Sequence, residues 1–184
     1  VAESVARLRA FGVDRTHSER AVPGMYDVPT LGLNYRMSEI QAALGRPQLR
    51  RMDTNLAVRE AHFRALQRAL AGRRHVRVID ADDARATNSF YCLTAVFEGP
   101  LASHRHEIVA RLNAAGVGTS VYYPQPVPRM TYYRTKYGYD PQRFIHAAEI
   151  SDQSVALPVG PHMSDADVEY VATTLVTILE ELGG

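Results

Sequence analysis

Apolar and polar positions follow two rhythms along this chain. Val1, Val5, Leu8 and Phe11 fall at helical spacing, and Gly12 can close that helix. Ile40, Ala43 and Leu44 resume the helical period behind Ser38 and Gln41. Those two read as a capping box, in which each side chain satisfies a backbone N–H of the first turn. The helical signal runs on to Leu70, with Gly72 behind it. Pro47 falls inside this run and predicts a kink or a split, because it has no N–H to give to residue 43. From Arg73 the rhythm changes. Val76, Val78 and Ile79 predict a short strand, and Phe90–Phe97, rich in aromatic and β-branched side chains, predicts another that stops at Glu98-Gly99-Pro100. Ser103 is the expected cap of a helix carrying Ile108, Val109, Leu112 and Ala115, ended by Gly116. Val117–Tyr123 reads as a strand, and Pro124, Pro126 and Pro128 impose an extended loop. Tyr132–Tyr139 reads as a short helix and Val155–Leu157 as a brief edge strand. Ser164 and Asp167 open a final helix with Val168, Val171, Leu175, Ile178, Leu179 and Leu182 on its core face. The alternation of helices and strands implies an α/β layer around one sheet.

Composition narrows the class without naming a function. The 184 residues suit one domain or somewhat more, and 46% hydrophobic with 22% charged residues is ordinary for a soluble globular protein. A net charge of +1 gives no argument for nucleic acid or a membrane surface, so neither is an expected partner. Cys92 is the single cysteine, which excludes an internal disulfide framework and a cysteine metal cluster; a reducing, cytoplasmic setting is the simplest expectation. The first residues, VAESVARLRAFG, lack the pattern of a signal peptide, and no apolar run reaches membrane-spanning length. Twenty of the twenty-one basic residues are arginine, and Lys136 is the only lysine.

The stretch Gly32–Gly45 carries the clearest candidate chemistry. Asn34 and Arg36 sit just before the Ser38 cap. A helix start holds unpaired N–H groups and the positive end of the macrodipole, and an amide donor with a guanidinium beside it suits a phosphate. On local physics the plainer reading is a surface loop that caps a long helix, with Arg36 paired to a carboxylate. Tyr35 is either a pocket residue or a packing anchor. In a strand Tyr122 and Tyr123 point to opposite faces, so one of them enters a given pocket. His104-Arg105-His106-Glu107 reads as a solvated helix start rather than a metal site, since neighbours at i and i+2 do not face together. Asp80, Asp82 and Asp83 lack the glycine and closing glutamate of a calcium loop and read as a polar turn, and His162 reads as a loop residue. No metal ligand is expected.

Leu31–Met52, LGLNYRMSEIQAALGRPQLRRM, resembles the signature of the DegT/DnrJ/StrS family of pyridoxal-phosphate (PLP) sugar aminotransferases. Ala115–Tyr133, AGVGTSVYYPQPVPRMTYY, is similar to the family's turn, strand and Tyr-Pro-rich loop, and Glu149–Val168 to its last block; the three come in family order. The resemblance implies the C-terminal part of an aspartate-aminotransferase-like fold (fold-type I, α/β). It implies residues 1–37 as the end of the large PLP-binding domain, 38–72 as a long connecting helix kinked near Pro47, and 73–184 as a small C-terminal α/β domain. The implied activity is amino transfer to a nucleotide-linked keto sugar, with glutamate as the amino donor. A homodimer with a composite active site is implied too, in which Asn34 and Arg36 lie near the cofactor phosphate of the neighbouring subunit. Tyr35, Tyr122 and Tyr123 are the implied substrate-binding residues. The family differs at Pro47, where a helix former is usual, and at Pro128, where a histidine is common; the second departure leaves the sugar open. Such an enzyme joins PLP to a lysine as a Schiff base. Lys136, in Arg134-Thr135-Lys136-Tyr137-Gly138-Tyr139, is outside the family's lysine motif, so the Schiff-base lysine is expected upstream of Val1 and the chain by itself is expected to be inactive. Two other readings stay open: a PLP-dependent sugar dehydratase of the same family, where a histidine replaces the lysine, and a noncatalytic dimerising or interaction protein. A nucleic-acid binder using its arginines is disfavoured by the near-neutral charge.

Overall fold

Gly12 and Gly32 allow two segments to cross in the first part of the molecule. A Cβ on Gly12, whose φ is +75°, would lie 1.9 Å from the Thr30 carbonyl oxygen, and one on Gly32 would lie 2.1 Å from the Gly12 nitrogen. Only glycine lets backbones approach this closely. The computed structural model describes residues 1–14, 17–19, 21–80, 85–140 and 142–183. It has two units, Val1–Met52 and Asp53–Gly184, divided within one long helix.

In the first unit, helix α1 (Ala2–Leu8) ends where Gly12 N donates to Arg7 O at 3.0 Å. The returning segment pairs with it: Leu33 N donates to Leu8 O at 2.8 Å, Phe11 N to Leu33 O at 3.1 Å and Tyr35 N to Arg9 O at 2.9 Å. A single antiparallel bridge joins Ala10 and Asn34. Helix α2 (Glu39–Leu70) begins in this unit. Its predicted capping box is present: Ser38 N donates to Gln41 Oε1 at 2.8 Å and Gln41 N to Ser38 Oγ at 3.3 Å. The helix runs through Pro47 without a split. Losing one i→i−4 bond does not end a helix whose flanking turns are intact.

The second unit holds the core. Strands β1 (Val76–Ile79), β2 (Leu93–Phe97) and β3 (Ser154–Leu157) form an antiparallel sheet in that order, with Val76 opposite Phe97 and Leu93 opposite Leu157. Phe63, Leu66 and Leu70 on the C-terminal part of α2 pack with Leu93, Ala95 and Phe97 of β2. Ile108 and Leu112 of α3 (Arg105–Ala114) and the 3, 4, 7-spaced face of α6 (Asp165–Glu181) complete the cluster. Helices α4 (Thr131–Tyr137) and α5 (Ile145–Gln153) lie between α3 and β3 in the chain. No helix among the described residues is long and apolar enough to cross a membrane.

The α/β class stands, and several local expectations need correction. The strand expected over Phe90–Phe97 starts at Leu93, because Phe90 has φ +47°, outside the extended region. Val117–Tyr123 is not a strand: Ser120 alone bridges Ala156, through two bonds of 3.1 and 2.8 Å. A four-residue β3 offers little backbone to pair with, and Pro124 ends the extension. That bridge covers the outer edge of β3, and all four of its residues are buried. Ser103 does not cap α3; its hydroxyl donates to Pro100 O within a 3-10 turn over Gly99–His104. The short tyrosine helix closes two residues early, on Gly138 with φ +62°. Helix α5 was invisible to the apolar pattern. The final helix has its capping box, with Ser164 N donating to Asp167 Oδ2 at 2.8 Å and Asp167 N to Ser164 Oγ at 3.2 Å.

Candidate functional site

In the first unit, the crossing of two segments sets Asn34, Tyr35 and Arg36 beside the end of α1 and just ahead of the α2 cap. The Asn34 side-chain oxygen accepts from Arg36 N at 3.4 Å, a tight turn that does not engage the amide nitrogen. The Arg36 guanidinium lies 5.3 Å from the Phe11 ring centroid, and among the described residues no carboxylate pairs with it. The salt-bridge role is therefore absent from this unit, and a cation–π contact holds the guanidinium in its place. Glu39 in the first turn of α2 and the filled box temper the helix start itself as an anion site. Tyr35 is three-quarters exposed and borders an apolar hollow of about 470 Å³ with Val5, Leu8, Leu31 and Leu33.

In the second unit, a cavity of about 410 Å³ opens beside the Ser120–Ala156 bridge. Arg59, Tyr91, Cys92, Ser120, Tyr122 and His162 supply its polar lining, and no carboxylate takes part. Arg59, on α2, donates from Nη1 to the Tyr91 carbonyl at 3.1 Å and lies 5.8 Å from that ring. The Tyr91 and Tyr122 hydroxyls are 3.4 Å apart, and their rings 5.9 Å. The Tyr122 hydroxyl contact pushes the Tyr91 pKa up from its ordinary value. Tyr123 packs its ring 5.8 Å from Tyr122 and is mostly exposed, outside the cavity. The segment is not a strand, so alternation of faces is not what separates the two tyrosines. The arrangement offers hydroxyls, an imidazole and one fixed cation, a donor-rich lining suited to a polyol or to a neutral or anionic ligand.

Arg59, Tyr91, Ser120 and His162 escaped sequence reasoning as site residues. Their places come from α2, the loop before β2, the bridge to β3 and the turn before α6, which meet only in the folded unit. A local signal exists for His162 alone: it follows Gly160-Pro161, and a Cβ on Gly160 would meet its ring at 2.4 Å.

The disfavoured metal readings find no support among the described residues, where no group of three metal-ligating side chains converges. His104 Nδ1 lies 3.2 Å from Glu107 within its own turn. Asp80 is engaged by Arg64 at 2.5 Å and by Gln67 at 3.0 Å, while Asp82 and Asp83 lie outside the described residues. Burial pushes the Asp80 pKa up, but the bonds from Gln67 and Arg64 and the Arg64 charge hold it below the usual carboxylate value.

The model of the DegT/DnrJ/EryC1/StrS aminotransferase family matches residues 1–176. This chain belongs to that family. It is 30% identical over 159 residues to the spore coat polysaccharide biosynthesis protein SpsC of Bacillus subtilis, covering 84% of this chain and 40% of that protein. It is 26% identical over 156 residues to the UDP-4-amino-4,6-dideoxy-N-acetyl-beta-L-altrosamine transaminase of Campylobacter jejuni, covering 85% of this chain and 40% of that one. A Streptococcus pneumoniae protein solved in a PMP form and a PLP form superposes with TM-scores of 0.85 and 0.82 at 24% identity, over 98% of this chain and 45% and 43% of those chains. The fold is that of the C-terminal part of a fold-type I aminotransferase. The chain spans about 40% of the length of the curated relatives it matches.

Proposed function

We propose that this chain supplies the second half of the active site of a PLP-dependent enzyme that transfers an amino group to a nucleotide-linked keto sugar, with glutamate as donor. The observation that carries this reading is the Asn34–Arg36 turn, which holds an amide donor and a guanidinium without a carboxylate partner immediately before α2. That donor set fits a phosphate, and Asn34 and Arg36 would hold the phosphate of PLP in a neighbouring subunit of a homodimer. When bound, PLP supplies the electron sink for moving an amino group between carbons. On this reading the chain grips the phosphate and offers Tyr35, Tyr122 and Tyr123 as its sugar-contacting residues, although Tyr123 lies outside the cavity of the second unit. In this arrangement residues 1–37 close the large domain, 38–72 connect, and 73–184 form the small domain.

Lys136 does not fit the role of the cofactor-linked lysine. Its ammonium donates to the Tyr132 hydroxyl at 3.0 Å on exposed α4 and faces two tyrosine rings. On this reading the lysine that joins PLP is supplied from outside these 184 residues, and this chain alone transfers no amino group.

The test is complementation between subunits of the full-length parent. One variant lacks the cofactor lysine and the other carries Arg36→Ala; neither is active alone. Mixed dimers contain one site with both its lysine and its Arg36, so activity returns on mixing. Subunit exchange without any recovery would overturn the shared site.

A further inference from the structure

Arg64, on α2, holds both ends of the connection between β1 and β2. At the start of that connection its Nη1 donates to Asp80 Oδ2 at 2.5 Å and to Gln67 Oε1 at 2.9 Å. Gln67 Nε2 donates to the same Asp80 oxygen at 3.0 Å. Glu60, one turn earlier on the helix, stands 3.9 Å from the Arg64 Nε. At the far end, the guanidinium carbon lies 5.4 Å from the Phe90 ring centroid and 5.6 Å from that of Phe63. The two rings are 5.3 Å apart, and Phe90 is buried. A guanidinium bonded in its plane to a carboxylate keeps its faces free for a ring, so one side chain makes both contacts.

Phe90 needs such a hold. Its φ of +47° lies in the left-handed region, which is unfavourable for a residue with a Cβ and persists where the surroundings enforce it. Its N–H donates to Asn88 Oδ1 at 2.8 Å, and its ring is fixed by Phe63 and Arg64. The next residue is Tyr91, whose carbonyl accepts from Arg59 and whose hydroxyl meets that of Tyr122 at the cavity. Tyr91 is 64% exposed, so its own packing does not set its direction. Return of Phe90 to an extended φ would redirect the peptide that carries Tyr91, because the sheet fixes the chain from Leu93 onward. Arg64 itself does not line the cavity. We propose that Arg64 is a positioning residue, which through Asp80 and Phe90 sets Tyr91 against Tyr122 from behind the site. Its effect on catalysis rests on the reading of Tyr122 as a sugar contact.

Two readouts test this. In the 184-residue chain, the nuclear Overhauser contact between the Tyr91 and Tyr122 rings, whose centroids are 5.9 Å apart, reports their relative placement. Arg64→Met keeps an apolar stem over the rings and removes the charge and the fork. It should lose that contact while the amides of β2 keep their protection. Arg64→Lys, which retains a cation for Asp80 and the rings, should restore part of it. In the parent enzyme Arg64→Met should raise the sugar-nucleotide KM about three- to tenfold, as for one hydrogen bond lost, with kcat nearly unchanged and the spectrum of bound PLP the same. Loss of folded enzyme alone would not split KM from kcat in this way. An unchanged Tyr91–Tyr122 contact in Arg64→Met overturns the proposal, and so does a wild-type KM. If Arg64→Met does not fold, Asp80→Asn decides on the same two readouts. A parent that aminates no sugar nucleotide, while Arg64→Met loses the ring contact, removes the functional reading and leaves the hold of Arg64 on Tyr91 in place.

Discussion

The two units have similar apolar content and opposite fates for it. In Asp53–Gly184 the large apolar side chains of β2, α3 and α6 are buried to within a few per cent, as with Leu93, Phe97, Leu101, Ile108 and Leu175. In Val1–Met52 the apolar side chains are exposed, among them Val5, Met25, Leu31, Leu33, Ile40, Leu44 and Leu49, and no large hydrophobic residue joins the core cluster. Hydrophobic content is therefore not what separates them. The second unit has a sheet with helices to cover its faces. The first has a short helix, a crossing of backbones and the opening turns of α2, held mainly by main-chain bonds. Apolar surface of that extent marks a region built to lie against another surface. The Asn34–Arg36 turn lies on this unit, which gives no large hydrophobic residue to the core cluster.

Core truncation should separate the units most. Phe97→Ala is expected to cost about 3–5 kcal/mol in urea unfolding, whereas Leu31→Ala should stay within about 0.5 kcal/mol. A comparable loss at Leu31 would break the contrast, by showing that this side chain is packed in solution. Next comes Gly32→Ala, whose Cβ would strike the Gly12 backbone. Exchange of the Leu33 and Tyr35 amides, which bond to Leu8 and Arg9, should quicken about tenfold or more, and the amides of β2 should keep their protection. Loss of β2 protection would contradict this separation of the two units.

The two capping boxes offer a smaller and cleaner comparison. Ser164→Ala should cost about 1 kcal/mol of global stability, because α6 carries a face of the core. Ser38→Ala removes the same chemistry at the start of α2, yet should only speed local exchange around Gln41. Equal shifts in the unfolding midpoint would contradict this. The smallest expected effect is on pH. The Asp80 and Asp167 pKa values are lowered in the fold, Asp80 by Gln67 and Arg64 against its burial and Asp167 by its bonds with Ser164. A depressed carboxylate contributes stability that is fully present above its unfolded pKa, near 4, and is lost as pH falls through its lower folded value. Asp80→Asn should therefore flatten the acid limb of the second unit's stability profile; an unchanged slope would remove Asp80 from the account.

Legibility followed the range of the interaction. Both capping boxes were readable, since Ser38 with Gln41 and Ser164 with Asp167 act across one helical turn. So was the core face of α6, because a period of 3.6 needs no partner to be seen. Asn34 and Arg36 were legible as polar residues just ahead of the helix cap, although the cation–π contact to Phe11 was not. The strand forecast over Val117–Tyr123 failed because β propensity describes willingness to pair, and only Ser120 finds a partner. Helix α5 hid because just Ala148 and Ser151 are buried along it, too few to set a period.

The sequence by itself determined the family, the starts of α2 and α6, and strands β1 and β3. Each rests on short-range patterning that local sterics and burial period make unambiguous. Only the tertiary structure decided that the apolar residues of the first unit stay uncovered while those of the second close into a core. It also decided that Arg59, Tyr91, Tyr122 and His162 share one cavity, and that five aromatic rings on and after α4 line up beside Lys136 and Arg143. These depend on segments tens of residues apart meeting at ångström distances, or on side-chain rotations that residue spacing leaves undetermined.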